Sequence, residues 1–425
     1  MKTLVKNGVV INPATGFMEI TDVLIEAGKV SHIGDIADVT AEQVIDATGL
    51  LVVPGLVDIH VHFRDPGFPD KETIATGAQS AAAGGFTSVV CMPNTKPSID
   101  TVETLEYVLR TGREQAAVHV YSSAAMTYGL EGTELTDLDS LKQAGAVTFT
   151  DDGRSVMDPQ LVYAAFQKAA ELDVPISSHC EDHHLVKGGS LNRGEVSRQL
   201  GDPGIPRLGE ELIIARDILF AEETGARLHI QHVSTARGVQ LIREGKARGV
   251  KVTAEGAPHH FTLTDEQALT SGSMAKVNPP LRTREDVEAV IAGLADGTLD
   301  VIATDHAPHT LEEKGRPLAQ APFGMVGLET AVGLTLTSLV YPGRLSLMDA
   351  ISKLTVIPSA IMGLPSGRLE VGLAADVTII DPQKEWIVDS DKFKSKSRNT
   401  PFAGMKLKGK AVWTMVHGDV VYNEL

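Results

Sequence analysis

His60 and His62 stand two residues apart at the end of the apolar run Leu51–His62. In a strand, residues two apart share a face, so both imidazoles are presented together. That is a ready-made pair of ligands for a divalent metal. The same kind of ending recurs along the chain. Thr150-Asp151-Asp152-Gly153, Ser178-His179-Cys180-Glu181, Gln231-His232-Val233-Ser234 and Thr304-Asp305-His306-Ala307-Pro308-His309 each close an apolar run. Six candidate ligands result: His60, His62, Asp152, His179, His232 and Asp305. Imidazole with carboxylate suits Zn²⁺ or another borderline divalent ion. The set is larger than one zinc takes, which predicts two ions sharing a carboxylate. Asp305, closing the last run, is the candidate to hold and move a proton beside them. No Gly-x-Ser-x-Gly elbow occurs, which argues against an acyl-enzyme. The implied chemistry is metal-assisted hydrolysis, or its reverse, at an amide-like or ester-like carbon. Cys91 and Cys180 read as core residues, with Cys180 pointing away from His179 along its strand. His32, His119 and His229 read as structural or surface residues, and His183-His184 and His259-His260 as loop residues.

For such side chains to meet, the runs that carry them must lie side by side. Eight apolar runs are expected as strands: Leu51–His62, Thr87–Met92, Val118–Ala124, Ala146–Asp152, Pro175–Cys180, Leu228–Val233, Val252–Glu255 and Asp300–Thr304. Amphipathic helical stretches alternate with them, such as Glu72–Ala83, Pro159–Glu171, Glu210–Thr224, Ala236–Arg248 and Arg284–Leu294. Continuously apolar strands are those of a parallel sheet covered on both faces. Eight βα units predict a TIM (β/α)8 barrel, whose active site lies at the C-terminal strand ends, where the six ligands fall. The two chain ends differ in pattern. Thr3–Ile11, Ile20–Glu26, Lys29–Ile33, Ala375–Asp381, Lys406–Val412 and Thr414–Tyr422 are short Val- and Ile-rich strands with turn residues between them. Neither end suffices for a sheet alone, so both are expected to pair into a small composite β-sandwich. The expected division is 1–53 and 366–425 for that β domain and 54–365 for the barrel. Thr310–Gln320, charged and without an apolar stripe, is expected to be a mobile lid.

The 425 residues include 38 Lys+Arg and 55 Asp+Glu, a net charge of −17. A chain this acidic is a poor partner for nucleic acid or an anionic membrane. Two cysteines make no disulfide framework, which predicts a reducing compartment. The first residues form no secretory h-region, and Pro54-Gly55 and Asp58 break the most apolar early stretch. A soluble, cytoplasmic protein is expected.

Pro54-Gly55-Leu56-Val57-Asp58-Ile59-His60-Val61-His62 resembles the first-strand signature of the amidohydrolase superfamily. His60 through Gly67 (HVHFRDPG) is similar to the dihydroorotase form of it. Further blocks resemble dihydroorotases: Cys91–Thr95, Phe149–Gly153, His179–Asp182, Lys276–Arg282, Ala303–His309, Ala321–Gly324 and Gly327–Thr330. The resemblance implies a zinc-dependent, reversible cyclisation of N-carbamoyl-L-aspartate to L-dihydroorotate, a step of pyrimidine synthesis. It implies that His60 and His62 bind one metal, His179 and His232 the other, that Asp152 bridges, and that Asp305 is ligand and acid/base. It implies substrate contacts from His62, Arg64, Asn94, Asn278, His309, Phe323 and Gly324, with Arg64 clamping a carboxylate. No lysine follows Lys142 in the fourth run, where much of the superfamily carries a carbamylated lysine. Asp152 in its place resembles the bacterial class I type, with Asp151 turned to support the loop. The competing implications are a hydantoinase, dihydropyrimidinase or allantoinase, and a non-catalytic partner of aspartate transcarbamoylase. A homodimer, and docking to aspartate transcarbamoylase, are the expected associations.

Overall fold

The computed structural model describes residues 2–37 and 39–425. The two chain ends form one sheet, and the middle of the chain forms a run of parallel strands with helices between. The terminal sheet contains β1 (Lys2–Asn12), β2 (Phe17–Glu26), β3 (Lys29–Gly34), β4 (Gln43–Asp46) and β5 (Leu51–Pro54). The central strands are β6 (Leu56–Val61), β7 (Phe86–Cys91), β8 (His119–Ser122), β9 (Ile176–Ser178), β10 (Leu228–Ile230), β11 (Val252–Gly256) and β12 (Val301–Ile302). The C-terminal strands are β13 (Val377–Ile387), β14 (Lys406–Val416) and β15 (Asp419–Asn423).

The terminal sheet runs β15-β14-β13-β5-β1-β2-β3, with β4 on β1. β5 pairs parallel with β1 and antiparallel with β13, so it stitches the two chain ends together. The expected pairing of the ends is therefore present, but as one hydrogen-bonded sheet in place of two stacked ones. Its apolar face buries Val10, Val52, Val377, Ile379 and Trp413 in a single cluster.

The expected strand Leu51–His62 is two strands. It breaks at Gly55, whose amide donates to Asp376 O, and the chain passes there from the terminal sheet into the central strands. A Cβ on Gly55 would lie 2.1 Å from Thr87 Oγ1, so only glycine allows this approach. β6, β7 and β8 pair in parallel, as do β9, β10, β11 and β12. Single parallel bridges link the two sets: Ala124 to Phe149, Phe149 to Ile176, and Val61 to His306. Every parallel segment thus has two neighbours, and the circuit of pairings closes on itself. The expected strand Ala146–Asp152 is reduced to these bridges. Its backbone bonds both neighbours around Phe149, but Asp151 then captures the amides of Met126 and Thr127 and ends the ladder. Among the described residues no helix is long and apolar enough to cross a membrane.

The expected lid is anchored. Thr310 caps a short helix, Leu311–Lys314, and the Lys314 side chain is buried. Lys276 Nζ donates to Leu318 O at 2.7 Å, which ties down the segment beyond. Most of this segment is exposed, as its charge pattern implies; Lys314 is the exception, because a buried, carbonyl-bonded lysine looks in sequence like an exposed one.

Candidate active site

The ligand-type side chains gather where the parallel segments end. β6 delivers His60, and His62 follows one residue past its end. Asp58 on β6 accepts from the amides of His60 at 3.0 Å and Thr304 at 3.2 Å, which fixes the first segment against the last. Burial pushes the Asp58 carboxyl up to about 7, against the pull of those donors. Asp152, His179, His232 and Asp305 come from the loops that follow the fourth, fifth, sixth and eighth segments. Two of these positions, and Arg64 beside them, carry strained backbone. Arg64, His232 and Asp305 have φ of 60°, 32° and 50°. Left-handed φ in non-glycine residues costs on the order of 1–3 kcal/mol each and persists where surrounding structure enforces it, as at functional sites.

The hydrogen bonds set the histidine tautomers. Glu255 Oε1 lies 2.6 Å from His60 Nδ1. A carboxylate only accepts, so Nδ1 carries a proton and Nε2 is the nitrogen left to face the cluster. That Nε2 faces Asp152 Oδ1 at 3.4 Å and Asp305 Oδ1 at 3.6 Å. Asn94 donates to Asp152 Oδ2 at 3.1 Å, which turns its carbonyl oxygen toward His62 Nδ1 at 2.8 Å. His62 Nδ1 therefore donates, and its Nε2 faces Asp305 Oδ1 at 3.0 Å. His179 Nδ1 and His232 Nε2 are 2.9 Å apart. His60 Nε2, Asp152 Oδ1 and His179 Nε2 are buried without a hydrogen-bond partner.

Four imidazoles and two carboxylates are thus packed together out of water, with three of their polar atoms unpartnered. A divalent cation would satisfy those atoms, and the nitrogen and oxygen donors present are those that zinc takes. Two groups of donor atoms lie within 4.8 Å: His60, Asp152 and His232, and His60, His62 and Asp305. The sequence reading places His60 with His62 and His179 with His232. In the structure His60 belongs to both groups and His179 to neither.

Electrostatics follow from these contacts. Burial raises Asp152, but His60, His62 and His179 around it outweigh that and hold it well below the usual carboxylate range. Burial likewise opposes ionisation of Asp305, yet the hydrogen bond from His62 and the field of His60 leave it lowered to about 2. Asp305 is thus a carboxylate at neutral pH. Burial, reinforced by His179 and His60, lowers His232 to about 3, so it is neutral and free to donate a lone pair.

Above the histidines lies a cavity of about 370 Å³, lined among others by Arg64, Asn94, Asn278, His309, Phe323 and Gly324. All six expected substrate contacts beyond His62 therefore reach one space. Arg64 Nε donates to Pro308 O and an Arg64 terminal nitrogen donates to His309 Nε2, each at 3.2 Å. Burial lowers the guanidinium to about 10, against the pull of Asp305 and Asp152, so it stays cationic. Asn278 donates to Glu181 Oε2 at 2.6 Å, and its Oδ1 is buried without a partner. A larger cavity, about 770 Å³, is lined by Trp386, Phe393 and Tyr422 beside the β13–β14 hairpin and contains no histidine.

Asp151 accepts from Met126 N, Thr127 N and Thr127 Oγ1, in the supporting role expected of it. Cys180 is buried beside Ser178, and Cys91 is buried too, as expected of core residues. Lys142 is bonded to Leu172 O at the surface, so no lysine amine reaches the cluster from that segment. His259 and His260 differ from expectation: they lie buried in the short helix Pro258–Thr262. His229 is structural, bonded to Thr253 and Glu255.

Glu255 is the residue that the sequence reading missed. It bonds His60, His229 and the amide of His232; burial opposes its ionisation, but His60 and His229 outweigh that and hold it well below the usual carboxylate range. The signal was present: its run ends in an acid, as the ligand-bearing runs do. Outer partners of metal-binding histidines typically contribute about 10–100-fold in metal affinity. Glu255→Gln should therefore weaken divalent-metal binding by at least about tenfold in chelator competition. Unchanged affinity would remove Glu255 from the site.

Comparison with known proteins adds an independent line. Residues 49–237 match a family model described as dihydro-orotase-like. The dihydroorotase of Pelotomaculum thermopropionicum is 54% identical over 424 residues, covering 100% of this chain and 99% of that protein. That of Syntrophotalea carbinolica is 52% identical, with 99% of each chain covered. Among solved structures, the L-hydantoinase (dihydropyrimidinase) of Arthrobacter aurescens superposes with a TM-score of 0.90 at 29% identity, over 99% of this chain and 96% of that one. The dihydropyrimidinase of Brevibacillus agri NCHU1002 shares the fold, with a TM-score of 0.88 at 22% identity over 100% and 95% of the two chains.

Proposed function

Since the chain belongs to the dihydroorotase family of cyclic amidohydrolases, we propose that the cluster and cavity just described carry out the reversible, zinc-dependent closure of N-carbamoyl-L-aspartate to L-dihydroorotate. The observation that carries this reading is Arg64: a half-buried cation, fixed by Pro308 O and His309, opening into the same cavity as the histidine–carboxylate cluster. A cation so placed calls for a substrate with a carboxylate next to the reacting amide. It also lets a chain of net charge −17 attract a dianion locally.

His60, His62, Asp152, His179, His232 and Asp305 would hold two zinc ions, with an aspartate in place of a carbamylated lysine as in bacterial class I enzymes. Bound zinc would polarise the amide carbonyl and make water a better nucleophile at neutral pH. The remaining work falls to side chains. Arg64, Asn94 and His309 hold the substrate carboxylate. Asn278, its amide turned by Glu181, offers Oδ1 to a ring N–H. Asp305 accepts the proton of the attacking water and gives it to the ring nitrogen as the C–N bond breaks. Ring closure retraces this path, with Asp305 removing the ureido proton and returning it to the departing oxygen. In this reading residues 54–365 form the TIM barrel that positions the site, and residues 1–53 and 366–425 form its β companion.

The test is a comparison of ring opening by the zinc-loaded protein on L-dihydroorotate, dihydrouracil and hydantoin, with and without added aspartate transcarbamoylase. The proposal expects dihydroorotate to be preferred by at least about a hundredfold in kcat/KM, the value of one well-made charge-assisted contact. Equal or better turnover of the rings without a carboxylate would assign the site to hydantoinase-type chemistry. Turnover seen only after aspartate transcarbamoylase is added would make that protein a required partner.

A further inference from the structure

Lys314 is fully buried, with 0% of its surface exposed, although it lies in a segment of charged residues. Its Nζ donates to Lys276 O at 3.1 Å, Pro322 O at 3.1 Å and Gly324 O at 2.9 Å. An ammonium has three N–H donors and here meets three carbonyls, one for each. Burial and, after it, the cation Lys276 both disfavour its charge. Burying a charge is unfavourable unless it is fully hydrogen-bonded, so these carbonyls must hold their places for the lysine to stay.

The carbonyls belong to the segments that line the active-site cavity. Lys276 is two residues before Asn278, and Pro322 and Gly324 flank Phe323. Other bonds reinforce the same junction. Gly324 N donates to Lys276 O at 2.9 Å, and Asn399 Nδ2 donates to Gly324 O at 3.1 Å and Ala307 O at 3.0 Å. Asn399 Oδ1 accepts from His309 N at 3.0 Å. Gly324 has a φ of 127°, and a Cβ there would lie 2.7 Å from Ala307 Cβ, so the turn packs closely against the last segment.

We propose that Lys314 is a positioning residue for substrate binding: its ammonium clips the Lys276–Asn278 and Pro322–Gly324 segments into one preformed wall of the cavity. The inference rests on the proposed function in that the wall is taken to contact dihydroorotate. Lys314 touches neither the substrate space nor the histidine cluster. Its loss should weaken binding in ground and transition state alike and leave the chemical step intact, which appears as KM without kcat.

The experiment measures kcat and KM for dihydroorotate, per zinc-loaded site, in the full-length protein and in Lys314→Met and Lys314→Gln. Lys314→Met should raise KM by at least about tenfold with kcat within about threefold, and Lys314→Gln, which keeps two donors, should raise it less. A merely structural lysine would lower the active fraction and leave KM unchanged, and that result overturns the proposal. Hydrogen exchange on the unaltered protein provides a readout that needs no variant. The backbone of residues 320–326 should be protected before any ligand is added. Exchange as fast as that of an open loop until dihydroorotate binds would show that Lys314 does not hold the wall. An unaltered protein that does not turn over dihydroorotate, yet protects these residues, would refute the substrate and leave the clip standing.

Discussion

Asp305→Asn should lower kcat for dihydroorotate ring opening by roughly 10²–10⁴-fold, the usual contribution of a positioned general acid–base, while zinc content stays unchanged. The carboxylate lies 3.0 Å from His62 Nε2 and borders the cavity. It is held down to about 2, so it is ionised throughout the neutral range and ready to take a proton. The sign follows from that lowering: protonation, and with it loss of the base, begins only as pH falls toward the depressed value. An amide has nearly the same shape and coordinates a metal weakly through its oxygen, but it accepts no proton at neutral pH. The effect should therefore fall on kcat rather than on KM. Turnover within a few-fold of the unaltered protein, with zinc in place, would remove Asp305 from the proton path.

Arg64→Met should weaken dihydroorotate binding by about 2–5 kcal/mol, the cost of removing one partner from a buried hydrogen-bonded charge pair. Dihydrouracil, which has the ring without the carboxylate, should lose almost nothing. The difference between the two ligands separates this role from a structural one. Arg64 also bonds Pro308 O and His309 Nε2, so a purely structural loss would weaken both ligands alike. Binding is best read by calorimetry on zinc-loaded protein, where turnover does not mix with affinity. Equal losses for both ligands would make Arg64 a brace for His309 rather than a carboxylate clamp.

Much of this site was legible because a strand-end rule carries spatial information. Apolar runs that each end in His or Asp predict convergence if the runs are parallel neighbours, and five such endings do meet. Glu255 was harder to see. It closes its run like the others but acts one layer out, and periodicity does not separate a metal-facing acid from one that grips a histidine. Lys314 was hidden for a different reason. Its neighbours Glu312, Glu313 and Arg316 give the pattern of a solvated loop, while its own burial depends on carbonyls drawn from residues 276, 322 and 324. Such long-range backbone partners leave no local trace. Strand boundaries blurred where side chains replace the ladder, as at Asp151, and where one apolar run serves two sheets, as at Gly55. The joining of the chain ends was legible from their shared pattern. The single sheet was not, because it depends on β5 pairing on both sides.

The most direct test of the central claim follows L-dihydroorotate ring opening while zinc is returned to chelator-stripped protein. The stripped chain should be folded and inactive, because the polar groups of the cluster lack the ions that reconcile them. Activity should return in proportion to bound zinc and saturate with the filling of the site built on His60, His62, Asp152, His179, His232 and Asp305. Full turnover by protein free of metal would contradict the account, as would zinc-replete protein that leaves dihydroorotate untouched.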